Sequence, residues 1–161
     1  MSNIIKVGMA DLNICKGTDI ITTIGLGSCI GLTFYDPVLK IAGMVHYMLP
    51  DSTAVRNSNN IAKFADTGIN ELLKRVLAAG ADRRRLVAKM AGGAQMFKVS
   101  SNSPVGNVGE RNAIAARAIL RQLNIRLVAE DTGLDYGRTV ELHCETGEFH
   151  IKALRQLLKV I

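Results

Sequence analysis

The chain has no tryptophan, and Phe, Tyr and Trp together make up only 4% of its 161 residues. A surface that stacks nucleic-acid bases on aromatic rings cannot be built from so few, and nucleic acid is not expected as a partner. Only three cysteines are present, Cys15, Cys29 and Cys144, widely spaced and without a Cys-x-x-Cys pair. That odd, scattered set supports neither a disulfide framework nor a zinc ribbon, and it fits a reducing cytoplasm. No apolar run approaches the roughly 18 residues of a membrane span, and the first residues lack the basic region, apolar run and cleavage site of a secretory leader. The protein is therefore expected to be soluble and cytoplasmic, without membrane insertion.

What is present reads as one globular domain over residues 1–161. Hydrophobic residues make up 48% and charged residues 21%, and a chain of this length buries about two thirds of its unfolded surface without staples. Lys and Arg outnumber Asp and Glu by 20 to 14, a net charge of +6, which favours an anionic partner surface through long-range steering. The dense basic run Arg83-Arg84-Arg85 is read as a solvated connection.

Hydrophobic periodicity divides the chain. Strands are expected over 4–9, 20–24, from Cys29 to about Tyr35, and from Ile41 to His46. Asn59 or Asn60 caps a helix running to Gly80, with Phe64, Ile69, Leu72, Leu73, Val76 and Leu77 at helical spacing. A strand over 86–91 ends at Gly92-Gly93, and a helix over 110–123 starts at Asn107 or Gly109. Residues 92–109 between them, rich in Gly, Ser and Asn, are read as a rim or lid. Strands over 125–130, 139–144 and 149–153 follow, then a short tail. The fold class is α+β, or layered α/β: a mixed sheet with β-hairpins packed with at least two helices.

The chemistry concentrates in one hairpin. Asp36-Pro37 signals a turn, because Pro presets φ and Asp bonds back to the backbone. If the loop holds an even number of residues, Tyr35 pairs with Lys40 and Cys29 lies opposite His46, with Cβ atoms about 4.5–5.5 Å apart. An odd loop would send the two to opposite faces. A Cys against a His is an activated nucleophile, its thiol pKa lowered by the neighbouring imidazolium. The glycine turn Gly25-Leu26-Gly27-Ser28 adds backbone N–H groups from Gly27 to Cys29 as oxyanion donors. Thr23, just before it, can orient the imidazole as a third group.

A competing constellation lies in the last hairpin, His143, Cys144 and His150. A four-residue loop would set His143 opposite His150 and Glu141 opposite Lys152, while a three-residue loop would not. Adjacent His143 and Cys144 point to opposite faces either way, and a closed zinc site needs four ligands, so no metal site is expected. The glycine turn lacks the Lys of a P-loop and the third glycine of a dinucleotide fingerprint. Met44, Met48, Met90 and Met96 are taken as core filler.

Several segments carry a family likeness. Thr23-x-Gly25-Leu26-Gly27-Ser28-Cys29, the Asp36-Pro37 turn and Gly43-Met44-Val45-His46-x-Met48-Leu49-Pro50 closely resemble the CheD family, the chemoreceptor glutamine deamidases of bacterial and archaeal chemotaxis. Ala65-Asp66, Ala88-Lys89-x-Ala91-Gly92-Gly93-Ala94-x-Met96-Phe97, Gly109-x-Arg111-Asn112 and Glu130-Asp131-Thr132-Gly133 extend the likeness over nearly the whole chain. Leu134-Asp135-Tyr136 departs from it, and 100–108 matches no family motif. The resemblance implies that Cys29 is the nucleophile, His46 the base and Thr23 the third group. It implies hydrolysis of receptor glutamine side chains with no metal or nucleotide cofactor, a chemically close methylesterase activity, and a CheC-type phosphatase as regulatory partner. The rival is a noncatalytic basic adaptor docking on acidic receptor helices, which has no need of Cys29.

Overall fold

In the computed structural model, which describes residues 2–55, 59–96 and 107–161, the elements follow the order β1 (Ile4–Lys6), β2 (Asp11–Lys16), β3 (Ile20–Leu26), β4 (Ile30–Asp36), β5 (Ile41–Tyr47), α1 (Ala65–Ala78), β6 (Val87–Gly92), α2 (Val108–Leu123), β7 (Arg126–Thr132), β8 (Arg138–His143), β9 (Phe149–Lys152) and β10 (Lys159–Val160). The strands form two mixed sheets, not one. The inner sheet has the order β2-β5-β4-β6-β7 and the outer sheet β1-β3-β8-β9-β10. The fold is α+β, as the pattern of elements predicted.

The inner sheet is covered on both faces. Leu32, Phe34, Val45, Ala88 and Met90 pack with α1 and α2 through Ile69, Leu72, Val76, Ala116 and Leu120. Tyr35, Ala42, Met44 and Ala91 face the outer sheet and meet Ile21, Leu26, Val140 and Leu142. This explains why β4 and β5 are buried along their whole length. The Cys-His hairpin has no solvent face, whereas β2 and β7 at the sheet's edges keep exposed residues, and the layers run helices, inner sheet, outer sheet.

Local chemistry accounts for most boundaries. α1 begins at Ala65, later than Asn59 or Asn60, because Asn60 spends its side chain capping a separate turn over Ile61–Lys63 and Phe64 is extended, with φ −117° and ψ 146°. Gly80, at φ 114°, ends the chain's helical path. α2 is capped by Asn107 and Asn124, both left-handed. It supplies the crossover between β6 and β7, which pair in parallel, as a parallel pair requires. Two strands were not expected from the pattern. β2 pairs antiparallel with β5, and β10 lies in what reads as a tail, pairing with β9. Of the segment read as a rim, residues 97–106 lie outside the described part.

The turn at Asp36-Pro37 is anchored from inside the protein. The buried Asp36 carboxylate accepts from the N–H groups of Val38 and Leu39, from Asp82 N–H, and from two nitrogens of Arg85 at 2.9 and 2.8 Å. Arg85 is therefore not part of a wholly solvated connection, although Arg84 beside it is 88% exposed.

Candidate active site

The hairpin register places the two candidate residues. β4 and β5 pair through Asp36↔Ile41, Tyr35↔Ala42 and on to Gly31↔His46 and Ile30↔Tyr47. The loop has an even count, Pro37 to Lys40, so Cys29 and His46 share a face as expected. The register is displaced by two residues from the expected one. His46 lies opposite Gly31, and Cys29 stands one residue before β4 begins, packed in the same inter-sheet core as Tyr35 and Met44, with no hydrogen bond between its sulfur and His46 Nε2 among the described residues. Gly31 puts no side chain into that row. A Cβ there would stand 3.1 Å from Leu26 Cδ1 and 3.4 Å from the Thr23 methyl.

Thr23 reaches the imidazole from the other sheet. Its Oγ1 lies 2.7 Å from His46 Nδ1 and 2.7 Å from the Val7 carbonyl oxygen. A carbonyl only accepts, and a hydroxyl has one proton to give. Thr23 therefore donates to Val7, and His46 must donate from Nδ1 to Thr23. The ring is fixed as the Nδ1–H tautomer with its lone pair on Nε2, an atom that is buried and has no hydrogen-bond partner among the described residues. A strand hydroxyl thus sets both ring orientation and proton position.

The resting protonation state differs from the expected ion pair. Burial pushes the Cys29 thiol up, opposed by its own backbone N–H, and burial pushes the His46 imidazole down. Desolvation disfavours the charged form of each. At neutral pH the site holds a neutral thiol and a neutral imidazole.

The turn bearing Cys29 is held by its carbonyls. Gly27 O accepts from Ala94 N–H and Cys29 O from Gly93 N–H, both at 2.9 Å. Ser28 O accepts from Asn112 Nδ2, whose other bond, also 2.9 Å, goes to Met48 O. One buried amide therefore ties the Cys29 turn to the end of the His46 strand, and Tyr47 Oη clamps Asn112 by donating to its carbonyl at 2.6 Å. Of the expected oxyanion donors, Gly27 N–H is engaged by Gly25 O. The N–H groups of Ser28 and Cys29 meet no acceptor outside their own residues among the described residues. Gly92, at φ 114°, abuts the Cys29 carbonyl so closely that any Cβ would collide with it. The roles of Asn112 and Gly92 were not read from the sequence. The signal was the blocks Gly92-Gly93 and Gly109-x-Arg111-Asn112, whose side-chain-to-backbone bonding has no periodicity to betray it.

Cys29 lines a cleft of about 430 Å³ whose walls include Met48, Lys63, Met96 and Val108. Met48 and Met96 are thus cleft residues, whereas Met44 and Met90 are core. Thr23 and His46 lie beneath, 2% and 0% exposed.

The last hairpin separates its cysteine from its histidines. Its register sets Glu141 opposite His150, not Lys152, and His143 stacks on His150 with ring centroids 4.1 Å apart. Cys144 points inward, donating from Sγ to Lys40 O.

Residues 48–153 match the family described as CheD chemotactic sensory transduction, a span that begins just after His46. The chain is 57% identical over 161 residues, all of both chains, to a probable chemoreceptor glutamine deamidase CheD of Lachnoclostridium phytofermentans. It is 50% identical to one of Caldanaerobacter subterraneus over 160 residues, 99% of each chain. With the chemoreceptor glutamine deamidase CheD of Halalkalibacterium halodurans it shares 48% over 157 residues, 97% of each. With full-length similarity at this level, the chain belongs to the CheD family of chemotaxis proteins.

Proposed function

We propose that this protein hydrolyses the side-chain amides of glutamines in methyl-accepting chemoreceptors to glutamate, releasing ammonia, with Cys29 as nucleophile, His46 as general base and acid, and Thr23 holding the imidazole. The observation that carries the reading is the unpartnered, buried His46 Nε2, left as a proton acceptor by the Thr23 hydrogen bond. His46 Nε2 takes the Cys29 thiol proton as sulfur attacks the carboxamide carbon. The oxyanion meets the N–H groups of Ser28 and Cys29. As the C–N bond breaks, the proton passes from Nε2 to the departing nitrogen, giving ammonia and a thioester. Water then loses a proton to Nε2 and adds to the thioester. The C–S bond breaks, sulfur recovers the proton from Nε2, and the new carboxylic acid gives its proton to water and leaves as glutamate. The chain's own groups complete this cycle.

A receptor methyl ester would reach the same thioester with methanol as leaving group, which supports a methylesterase side activity. The family likeness also supports a CheC-type phosphatase as regulatory partner and a cytoplasmic site of action. Among the described residues no helix is long and apolar enough to cross a membrane. The test is mass spectrometry of a receptor cytoplasmic fragment incubated with the protein. Conversion of specific glutamines to glutamate is expected, and Cys29→Ala should lower it by roughly 10³ or more. Undiminished conversion by Cys29→Ala would refute the assignment. Receptor binding without conversion by the wild type would leave the noncatalytic adaptor.

A further inference from the structure

The outer face of the outer sheet carries a second group of chemically capable side chains. Val140, Leu142 and Cys144 of the β8 hairpin point into the core between the sheets. Strand alternation therefore turns Glu141 and His143 the other way, and the register adds His150 from β9 directly opposite Glu141. One ligand atom from each of Glu141, His143 and His150 lies within 4.8 Å of the others. We propose that these three residues bind a borderline divalent transition ion, zinc(II) in the first instance, on a face separated from Cys29 and His46 by the sheet itself.

Four observations support a built site. His143 Nε2 and a Glu141 oxygen are already 3.0 Å apart. His150 Nε2 is buried yet makes no hydrogen bond among the described residues, its nearest carboxylate oxygen, from Glu148, being 3.7 Å away. The two imidazoles are held nearly parallel, 25° between planes, so their nitrogens project from adjacent positions. Finally, Glu141 and Glu148 give the cluster two carboxylates, and among the described residues neither forms a salt bridge with a lysine or arginine, although the Lys89 ammonium is near enough to Glu148 to interact with it.

The donor set selects the class of ion. Two imidazoles and a carboxylate suit zinc, copper or nickel, and neither calcium nor magnesium, which take oxygen ligands. Zinc bonds of about 2.0–2.1 Å to nitrogen and oxygen bring tetrahedral ligand atoms to roughly 3.3 Å from one another. Side-chain rotation of the order of 1 Å closes the present arrangement to that spacing without moving the strands. The side chains are 19–31% exposed, so solvent reaches the cluster and completes the coordination. The bound ion would staple β8 to β9, closing the hairpin that carries Cys144, and it takes no part in amide hydrolysis.

The test is titration of the full chain with zinc chloride by calorimetry, and with cobalt(II) by absorption, using a phosphine reductant that offers no thiol. One ion per chain should bind in the micromolar range or tighter. Binding should persist in Cys29→Ala and weaken at least about tenfold in His143→Gln and in His150→Gln. Cobalt should give ligand-field bands without thiolate charge transfer. Both histidine variants should retain the wild-type circular dichroism and receptor deamidation, which separates loss of a ligand from loss of fold. Absence of saturable binding to the wild type overturns the proposal. So does binding that survives both histidine substitutions, or a charge-transfer band that disappears with Cys29.

Discussion

Thr23 and His46 belong to different sheets, and the 2.7 Å bond between Thr23 Oγ1 and His46 Nδ1 joins the two layers at the point where the base must be held. Because the same hydroxyl donates to Val7 O, its proton is committed and the imidazole proton has to lie on Nδ1. Thr23→Val keeps the β-branched shape and removes the acceptor. Its kcat should fall by about tenfold or more, as expected when a buried donor worth roughly 1–3 kcal/mol loses its partner. Thr23→Ser should recover most of that loss. Steady-state kinetics on a receptor fragment checks both, and wild-type turnover in the Val variant would reduce the site to Cys29 and His46.

The protonation states set a pH profile. With the imidazole held below its ordinary 6.5 and the thiol above its ordinary 9.0 by burial, kcat/KM should be flat across neutral pH. An acid limb is expected below pH 6.5, where His46 takes up a proton and ceases to be a base. Iodoacetamide should label Cys29 ahead of Cys15 and Cys144 because it alone of the three lines the cleft. The rate should climb with pH beyond 9, following the thiolate. Peptide mapping after limited alkylation reads this. Fast labelling at pH 6 would indicate a resting ion pair.

Asn112 should act on the reaction through position alone. Asn112→Asp removes the Nδ2 donors that hold Ser28 O and Met48 O and brings acceptors against acceptors. Asn112→Ala leaves both carbonyls unbonded in a buried place, a cost of about 1–3 kcal/mol each. Both should lower kcat more than they raise KM, with Asn112→Asp the worse, since the turn that aims Cys29 loosens while the cleft walls stay. An equal loss of activity and thermal stability, with an unchanged kcat in the folded fraction, would make Asn112 a packing residue only.

Asp36 governs acid stability. The Arg85 guanidinium, with help from three backbone N–H groups, holds its carboxyl well below the usual carboxylate range. A depressed folded value means that the pair contributes fully above the unfolded value of about 3.9, and that the contribution disappears as pH falls through the folded value. Asp36→Asn should cost on the order of 3 kcal/mol at pH 7, a Tm drop of roughly 6–12 °C for a chain of this size. It should also flatten the fall in stability below pH 4. Calorimetric scans between pH 2 and 7 test both arms.

The sequence by itself determined which residues are paired in local structure. The apolar spacing of Ile69, Leu72, Leu73 and Val76 fixed a helix face, since a 3.6-residue period survives whatever the face packs against. Asp36-Pro37 fixed a hairpin but left open the parity of its loop, on which the facing of Cys29 and His46 depends and which only the register settles. The exact register escaped, because it depends on Asp36 being drawn inward to Arg85, 49 residues away in sequence, and a turn motif carries no record of that distant cation. β2 escaped for a related reason. Six residues with two or three inward side chains are too short a period to stand out, and their strand character comes from pairing with β5.

Tertiary structure alone decided what the shared face of Cys29 and His46 looks out upon. Alternation along β4 and β5 reads as one apolar face and one chemical face, and nothing local reveals that a second sheet covers the latter. That second layer desolvates His46 and Cys29, shifting both toward neutrality, and brings Thr23 Oγ1 to Nδ1 from a strand paired elsewhere. It also turns Glu141, His143 and His150 outward together. A local pattern states which side chains favour burial. It does not state which layer buries them, and in this protein the tautomer of the base follows from that layer.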